Sequence, residues 1–177
     1  MPDQATVTRP LIRRGVPDAD RWTLIRDPES ALPEGPAIVP LEQWREAAPS
    51  EDLAPWLASD TELTPELADA LQDAPLIAID FPKFTDGRGY SLARLLRERY
   101  GYPGEIRAIG DVLVDQVFFL TRCGFDALSL REDQWLEDAL RALNAFSRAY
   151  QPAVDEPEPL FRHRLREAIH EAEPAFA

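Results

Sequence analysis

Between residues 75 and 150 the chain repeats one hydrophobic pattern three times. The apolar run "PLIAIDF" gives way to a polar junction and then to "SLARLLRERYG", where apolar residues recur every three or four positions. "EIRAIGD" is followed in the same way by "VLVDQVFFLTRCG", and "FDALSLRED" by "QWLEDALRALNAFSRAY". Short apolar runs bounded by polar or glycine positions predict strands, and the longer spacing beyond each predicts an amphipathic helix. In the first helix Leu92, Leu95 and Leu96 share a face, with Arg94, Arg97 and Glu98 turned outwards. In the second, Leu113, Val114, Val117, Phe118 and Leu120 cover most of the circumference, which predicts the most buried helix of the three. In the third, Leu136, Leu140 and Leu143 form the stripe. Gly101 and Gly124 stand where a left-handed C-terminal cap needs glycine.

Upstream the pattern is broken by prolines. Trp22 to Ile25 and Ala37 to Val39 are β-type cores punctuated by Pro33, Gly35, Pro36 and Pro40, so they predict short strands near an edge. "LEQWREAA" predicts a helix anchored by Trp44, "DLAPWLASD" fits a strand or a turn, and "TPELADALQDA" predicts a short helix capped by Thr64 with Pro65 at its first position.

Strands alternating with helices at this spacing imply parallel pairing through helical crossovers. The fold class is therefore α/β, a single domain over 11–150 built from repeated strand–helix units. Helices should cover a mostly parallel sheet of about five strands, open or curled as a partial barrel, since a full eight-fold barrel needs about 250 residues. Residues 1–10 are expected to be unordered, and "QPAVDEPEP" is an acidic, proline-rich linker to a tail helix within 151–177.

Composition narrows the partners. The chain has 177 residues, is 45% apolar and 29% charged, and carries a formal net charge of −13. Such an acidic chain is not expected to bind nucleic acid or anionic membrane surfaces, both of which select Lys and Arg. No apolar run reaches the roughly 18–20 residues that span a bilayer, and the N-terminus lacks a signal-peptide core, so the expected location is cytoplasmic. Cys123 is the sole cysteine. It excludes an internal disulfide, a CxxC redox pair and a zinc ribbon, and its place beside Gly124 at a helix C-terminus predicts a buried, poorly nucleophilic thiol.

In a parallel sheet, ligands bind at the carboxyl ends of the strands. Asp80 closes the first strand, Gly110 and Asp111 follow the second, and Ser129, Arg131, Glu132 and Asp133 follow the third. The first strand-to-helix loop, "FPKFTDGRGYS", adds Lys83, Asp86, Gly87, Arg88, Gly89 and Ser91. Gly87 and Gly89 let backbone N–H groups approach a ligand, Ser91 can cap the helix, and Arg88 offers a fork for an anion. The loop matches neither GxGxxG nor GxxxxGK[ST], and the alternative is an Asp86–Gly87 turn with Ser91 as a simple cap. Asp80 needs a cation, for which Lys83 and Arg88 are the candidates, and Asp111 suits an N-cap. His163, Glu167 and His170 share one helical face but bring no further strong ligand, so no metal is expected.

The phrases "DFPKFTDGRGYSLARLLR" and "GDVLVDQVFFLTRCGFDA", and more loosely "IVPLEQW" and "WLASD", closely resemble bacterial domain-of-unknown-function family 934. Members of that family carry the label of an oxidoreductase of sulfite reduction and tend to be encoded beside sulfite reductase. The resemblance implies a pathway, sulfate assimilation, and a partner, sulfite reductase or another protein of that pathway. It supplies no catalytic residues. The chain shows no dinucleotide fingerprint, cysteine pair or cluster-binding pattern, so no cofactor is recognised and a redox group would have to come from a partner. Three functions follow as expectations: an auxiliary factor of sulfite reduction, a small-molecule enzyme or anion-binding protein using the strand rim, and a structural interaction module.

Overall fold

The computed structural model describes residues 9–146 and 149–172, with side chains of the last helix described as far as Arg166. Its strands are β1 (Leu11–Arg13), β2 (Val16–Asp18), β3 (Thr23–Leu24), β4 (Ala37–Pro40), β5 (Leu53–Leu57), β6 (Leu76–Phe81), β7 (Glu105–Gly110) and β8 (Ala127–Ser129). Its helices are α1 (Leu41–Glu46), α2 (Pro65–Ala70), α3 (Arg88–Glu98), α4 (Val117–Arg122), α5 (Leu136–Leu143) and α6 (Leu160–Ala172). One sheet holds all eight strands in the order β2-β1-β8-β7-β6-β5-β4-β3. Neighbours from β3 to β8 are parallel, and β1 pairs antiparallel with both β2 and β8.

The sheet is thus mixed and larger than the mostly parallel sheet of about five strands expected. The additional strands come from places where local signals are weak. Arg14 and Gly15, at φ 50° and 80°, form a two-residue hairpin turn between β1 and β2 without the usual Asn-Gly pair. β5 contains Pro55, but its ladder to β6 starts only at Trp56, one residue past the missing N–H.

From β3 to β8 the strand order never reverses, the winding of a βα barrel rather than of a doubly wound sheet. Helices α2–α5 pack on one face, where Leu71, Leu92, Leu96, Val117, Leu120 and Ala139 meet Ile77, Ile79, Phe81, Ile106, Ala108 and Leu128. The alternate residues of the strands form the other face, with Trp22, Ile38, Ala54, Leu76, Ala78 and Ile109 at its centre. That face is concave. β3 and β7 stand four places apart, roughly 19 Å in a flat sheet, yet Asp20, just before β3, accepts a 2.8 Å hydrogen bond from Arg107 on β7. A side chain cannot cover that distance, so the sheet curls into a half-barrel.

Thr64 caps α2 through a 3.2 Å bond from Leu67 N–H, with Pro65 at the first position, and Gly101 and Gly124 adopt φ 64° and 101° at their helix ends, as the sequence predicts. One helix face differs from expectation. Arg97 turns inwards, donating to Gly124 O, Tyr102 O, Gly104 O and the Asp126 carboxylate. The second helix is short, with Phe119 57% exposed, but half of its residues are buried, a larger share than in α3 or α5, as the sequence predicts. Residues 1–8, in the stretch expected to be unordered, lie outside the described residues. Pro10 is tied down, its carbonyl accepting from Leu130 N–H. The linker lies against the end of α4 through the Arg122–Asp155 ion pair.

Candidate functional site

Two strands carry matching inner faces. On β6, Leu76 and Ala78 precede Asp80, and around β3, Trp22 and Leu24 precede Arg26. Each alternation runs apolar, apolar, charged, and the curl brings the two charges together. Arg26 Nη2 donates to Asp80 Oδ1 at 2.9 Å. The guanidinium also lies over the Trp56 ring, 5.8 Å from its centroid, and Trp56 Nε1–H holds the Ile25 carbonyl at 3.0 Å. The partner expected for Asp80 was Lys83 or Arg88; the structure corrects this to Arg26.

Beside this pair, Gly110 ends β7 at φ 93°, where a Cβ would stand 2.4 Å from the Phe81 carbonyl oxygen and 2.5 Å from Asp80 Oδ1. Glycine is required there, and its carbonyl accepts from Arg9 Nη1 at 2.8 Å. Asp111 follows. It does not cap a helix as expected: Oδ2 accepts from Phe84 N–H at 2.8 Å, which fastens the β6–α3 loop to β7, and Oδ1 accepts from Arg131 Nη1 at 2.5 Å. These bonds, the Phe84 N–H first, hold the Asp111 carboxyl below the usual carboxylate range. Arg131 also forks onto Asp133, at 2.6 and 2.7 Å, which brings the Asp133 carboxyl down to about 2.

Arg9, Arg26, Asp80, Asp111 and Arg131 line one cleft of about 350 Å³ at the carboxyl end of the concave face, floored by Phe81, Pro82 and Gly110. Of the residues that the sequence placed on this rim, the structure unites Asp80, Asp111 and Arg131. Asp86 and Arg88 form a separate cluster above β5: Arg88 forks onto Asp86 at 3.0 and 2.7 Å, and Ser59 donates to Asp86 at 2.7 Å. The fork holds Asp86 far below its ordinary value. Asp86 also accepts from Arg88 N–H, so a carboxylate of the chain itself occupies the start of α3. Ser91 lies within α3 and does not cap it. Gly87, at φ −83°, uses no special glycine conformation, whereas Gly89 packs α3 onto β6, with a Cβ there only 2.8 Å from the Phe81 ring. Lys83, the only lysine of the chain, is exposed.

Arg9 and Arg26 are the cleft residues that the sequence reading missed. Arg26 had a signal in the alternation Trp22–Leu24–Arg26, which mirrors that of β6. Arg9 had none, because its contact with Gly110 joins residues 101 positions apart. Among the described residues no group of three His, Cys, Asp or Glu side chains is gathered as for a metal ion. The side chains of Glu167 and His170 lie outside the described residues. Burial raises the pKa of Cys123, a buried free thiol.

The chain is an α/β half-barrel protein whose polar cleft opens at the carboxyl ends of its parallel strands, the position that βα barrels use for their sites. Residues 54–161 match DUF934, a bacterial protein family of unknown function, and the chain belongs to that family. The matched segment contains Asp80, Asp111 and Arg131, while Arg9 and Arg26 precede it. No curated protein and no solved structure matches the chain. Among the described residues, no helix is long and apolar enough to cross a membrane.

Proposed function

We propose that this protein binds a small oxyanion in the cleft between Arg9, Arg26 and Arg131, and that it serves cytoplasmic sulfite reduction as an auxiliary factor. The observation that carries the first part is the convergence of three guanidinium groups from three remote segments on one cleft. Guanidinium forks match the geometry of oxyanions, and arginine keeps its charge in a partly buried site. The second part is supported by the resemblance of the chain's middle to a family labelled for sulfite reduction, for which sulfite or a related sulfur oxyanion is the natural ligand class.

A thermal shift measured with sulfite, sulfate, phosphate, adenosine phosphosulfate and flavins tests the binding. A ligand at about one hundred times its Kd adds roughly 2.7 kcal/mol to the folded state. At least one oxyanion is expected to raise the melting temperature, and Arg26→Ala is expected to abolish the rise. Arg88→Ala, in the separate cluster outside the cleft, should leave it intact. No stabilisation by any of these compounds would reject the reading.

A second reading, docking on sulfite reductase, is favoured by the net charge of −13 together with exposed Phe84 and Phe119. Acidic surfaces steer towards basic partners in a salt-dependent way. Co-purification at low salt should then recover the reductase, and deletion of the gene should impair growth on sulfate and sulfite but not on cysteine.

A further inference from the structure

Which oxyanions the cleft accepts depends on the acceptors that line it beside the arginines. Arg9 and Arg26 supply donors, Arg131 adds its charge while it is bonded to Asp111 and Asp133, and the cleft also presents carboxylates. Asp111 is fully engaged, one oxygen by Phe84 N–H and the other by Arg131. Asp80 is not. Its Oδ1 accepts from Arg26, and no hydrogen bond reaches Oδ2 among the described residues. The Asp80 side chain is 12% exposed and lines the cleft. A ligand oxygen seated on Arg26 therefore lies next to an open carboxylate acceptor.

A carboxylate can only accept a hydrogen bond, so a ligand oxygen facing Asp80 has to bring its own hydrogen. Hydrogen sulfite carries one up to its second ionisation near neutral pH, and phosphate carries one on both sides of its own, because its last proton leaves only in strong alkali. Sulfate, the far stronger acid, does not. Placed in the same cleft, sulfate sets lone pairs against lone pairs and leaves a poorly hydrated acceptor unmatched. Sites built around such a hydrogen bond reject the analogue that lacks the hydrogen.

We infer that Asp80 makes the cleft selective for oxyanions that carry a proton, hydrogen sulfite and hydrogen phosphate, against fully deprotonated sulfate. This rests on the oxyanion reading above and adds a specificity-determining residue to it. The charged groups facing Asp80 are Arg26 from the β3 edge, Arg9 from the N-terminal segment, and Arg131 with Asp111 from the ends of β8 and β7. A site that read charge alone would favour dianions, so the two cases differ in the direction of the pH dependence for sulfite, which loses its last proton on becoming a dianion.

Titration calorimetry of the full chain with phosphate, sulfite and sulfate, on either side of the ligands' second ionisation, decides between them. Phosphate and sulfite should bind at least about tenfold more tightly than sulfate, the size of one unmade hydrogen bond. The affinity of sulfite should fall as pH rises through its second ionisation and its only proton is lost, while that of phosphate, which keeps a proton there, should not fall with it and that of sulfate should stay level. Asp80→Asn offers an amide N–H in place of the acceptor, and should tighten sulfate and bring the ratio near one. Glycerol 3-phosphate, titrated alongside below its second ionisation, where it still carries a proton, separates a free oxyanion from the end group of a monoester, and the preference over sulfate is required of whichever binds. Sulfate binding as tightly as phosphate, sulfite affinity rising with pH, or a preference unchanged in Asp80→Asn would each overturn the inference while leaving oxyanion binding intact. Absence of binding by every oxyanion would overturn the oxyanion reading itself. Should Asp80→Asn fail to fold, the affinity ratio and pH profile of the unaltered chain decide alone.

Discussion

Arg26, just past the end of β3, reaches Asp80 on β6 at 2.9 Å although the two strands stand three places apart in the sheet. The pair closes the upper end of the concave face as Asp20–Arg107 closes the lower. Arg26 is 45% exposed on its side chain, so solvent screens the attraction, and Asp80 is the more dependent partner. Arg26→Ala is expected to cost about 1 kcal/mol by urea unfolding, with a coupling energy to Asp80→Asn of similar size in a double-mutant cycle. A coupling of zero would mean that the pair holds nothing together.

The lower staple should matter more. Arg107 is fully buried, with Nε on Glu105 Oε1 at 2.9 Å and Nη1 on Asp20 Oδ1 at 2.8 Å, and Arg13 adds a second cation to Glu105 at 2.9 Å. Arg107→Met removes a charge whose two carboxylate partners stay behind, a change that costs about 3–5 kcal/mol in buried pairs. The urea midpoint should fall accordingly. Arg94→Met, which removes the exposed i,i+4 pair with Glu98, should leave it unmoved.

How much of this was legible in the sequence depends on whether a residue's role is local. The helix-facing core was, since Ile77, Ile79, Leu92 and Leu96 repeat at strand and helix periods. So were the Thr64 cap and the glycine ends of α3 and α4, which are set by backbone geometry within one turn. The hairpin β1–β2 was hidden by the left-handed Arg14, a conformation that an arginine does not advertise. Ser91 looked like a cap because the start of α3 was unknown; the helix begins at Arg88, where Asp86 already accepts the N–H. The rim itself was visible for Asp80, Asp111 and Arg131, because strand ends share a rim in any parallel sheet. Which charges pair was not visible, since pairing follows from the curl of the sheet. Only the curl brings Arg26 rather than Lys83 to Asp80.

Gly110 offers a test of how tightly the floor of the cleft is built. Its positive φ disfavours any side chain, and an added Cβ would meet the Phe81 carbonyl oxygen at 2.4 Å, a backbone atom held in the β6–β7 ladder. Gly110→Ala is expected to destabilise the fold by about 2 kcal/mol or more, through strain and overpacking together. The same substitution at Gly15, where open space surrounds the Cβ, should cost less, since only the φ of 80° opposes it. Equal midpoints for the two variants in urea would refute the crowding argument.

Acid should loosen the rim before it unfolds the core. Asp111 and Asp133 are held below the ordinary carboxylate value of about 4, Asp111 by Phe84 N–H and Arg131, Asp133 by Arg131 and Gln134. A carboxyl whose folded pKa is depressed contributes stability above its unfolded value, and that contribution drains away as pH falls through the folded value. For Asp133 the window extends from about 4 down to about 2. The urea midpoint should therefore decline with falling pH across that range. Asp111→Asn should flatten the decline, because an amide has no proton to gain, and should lower the midpoint at neutral pH by weakening the hold on Arg131. A decline as steep in Asp111→Asn as in the unaltered chain would show that the carboxylates responsible lie elsewhere.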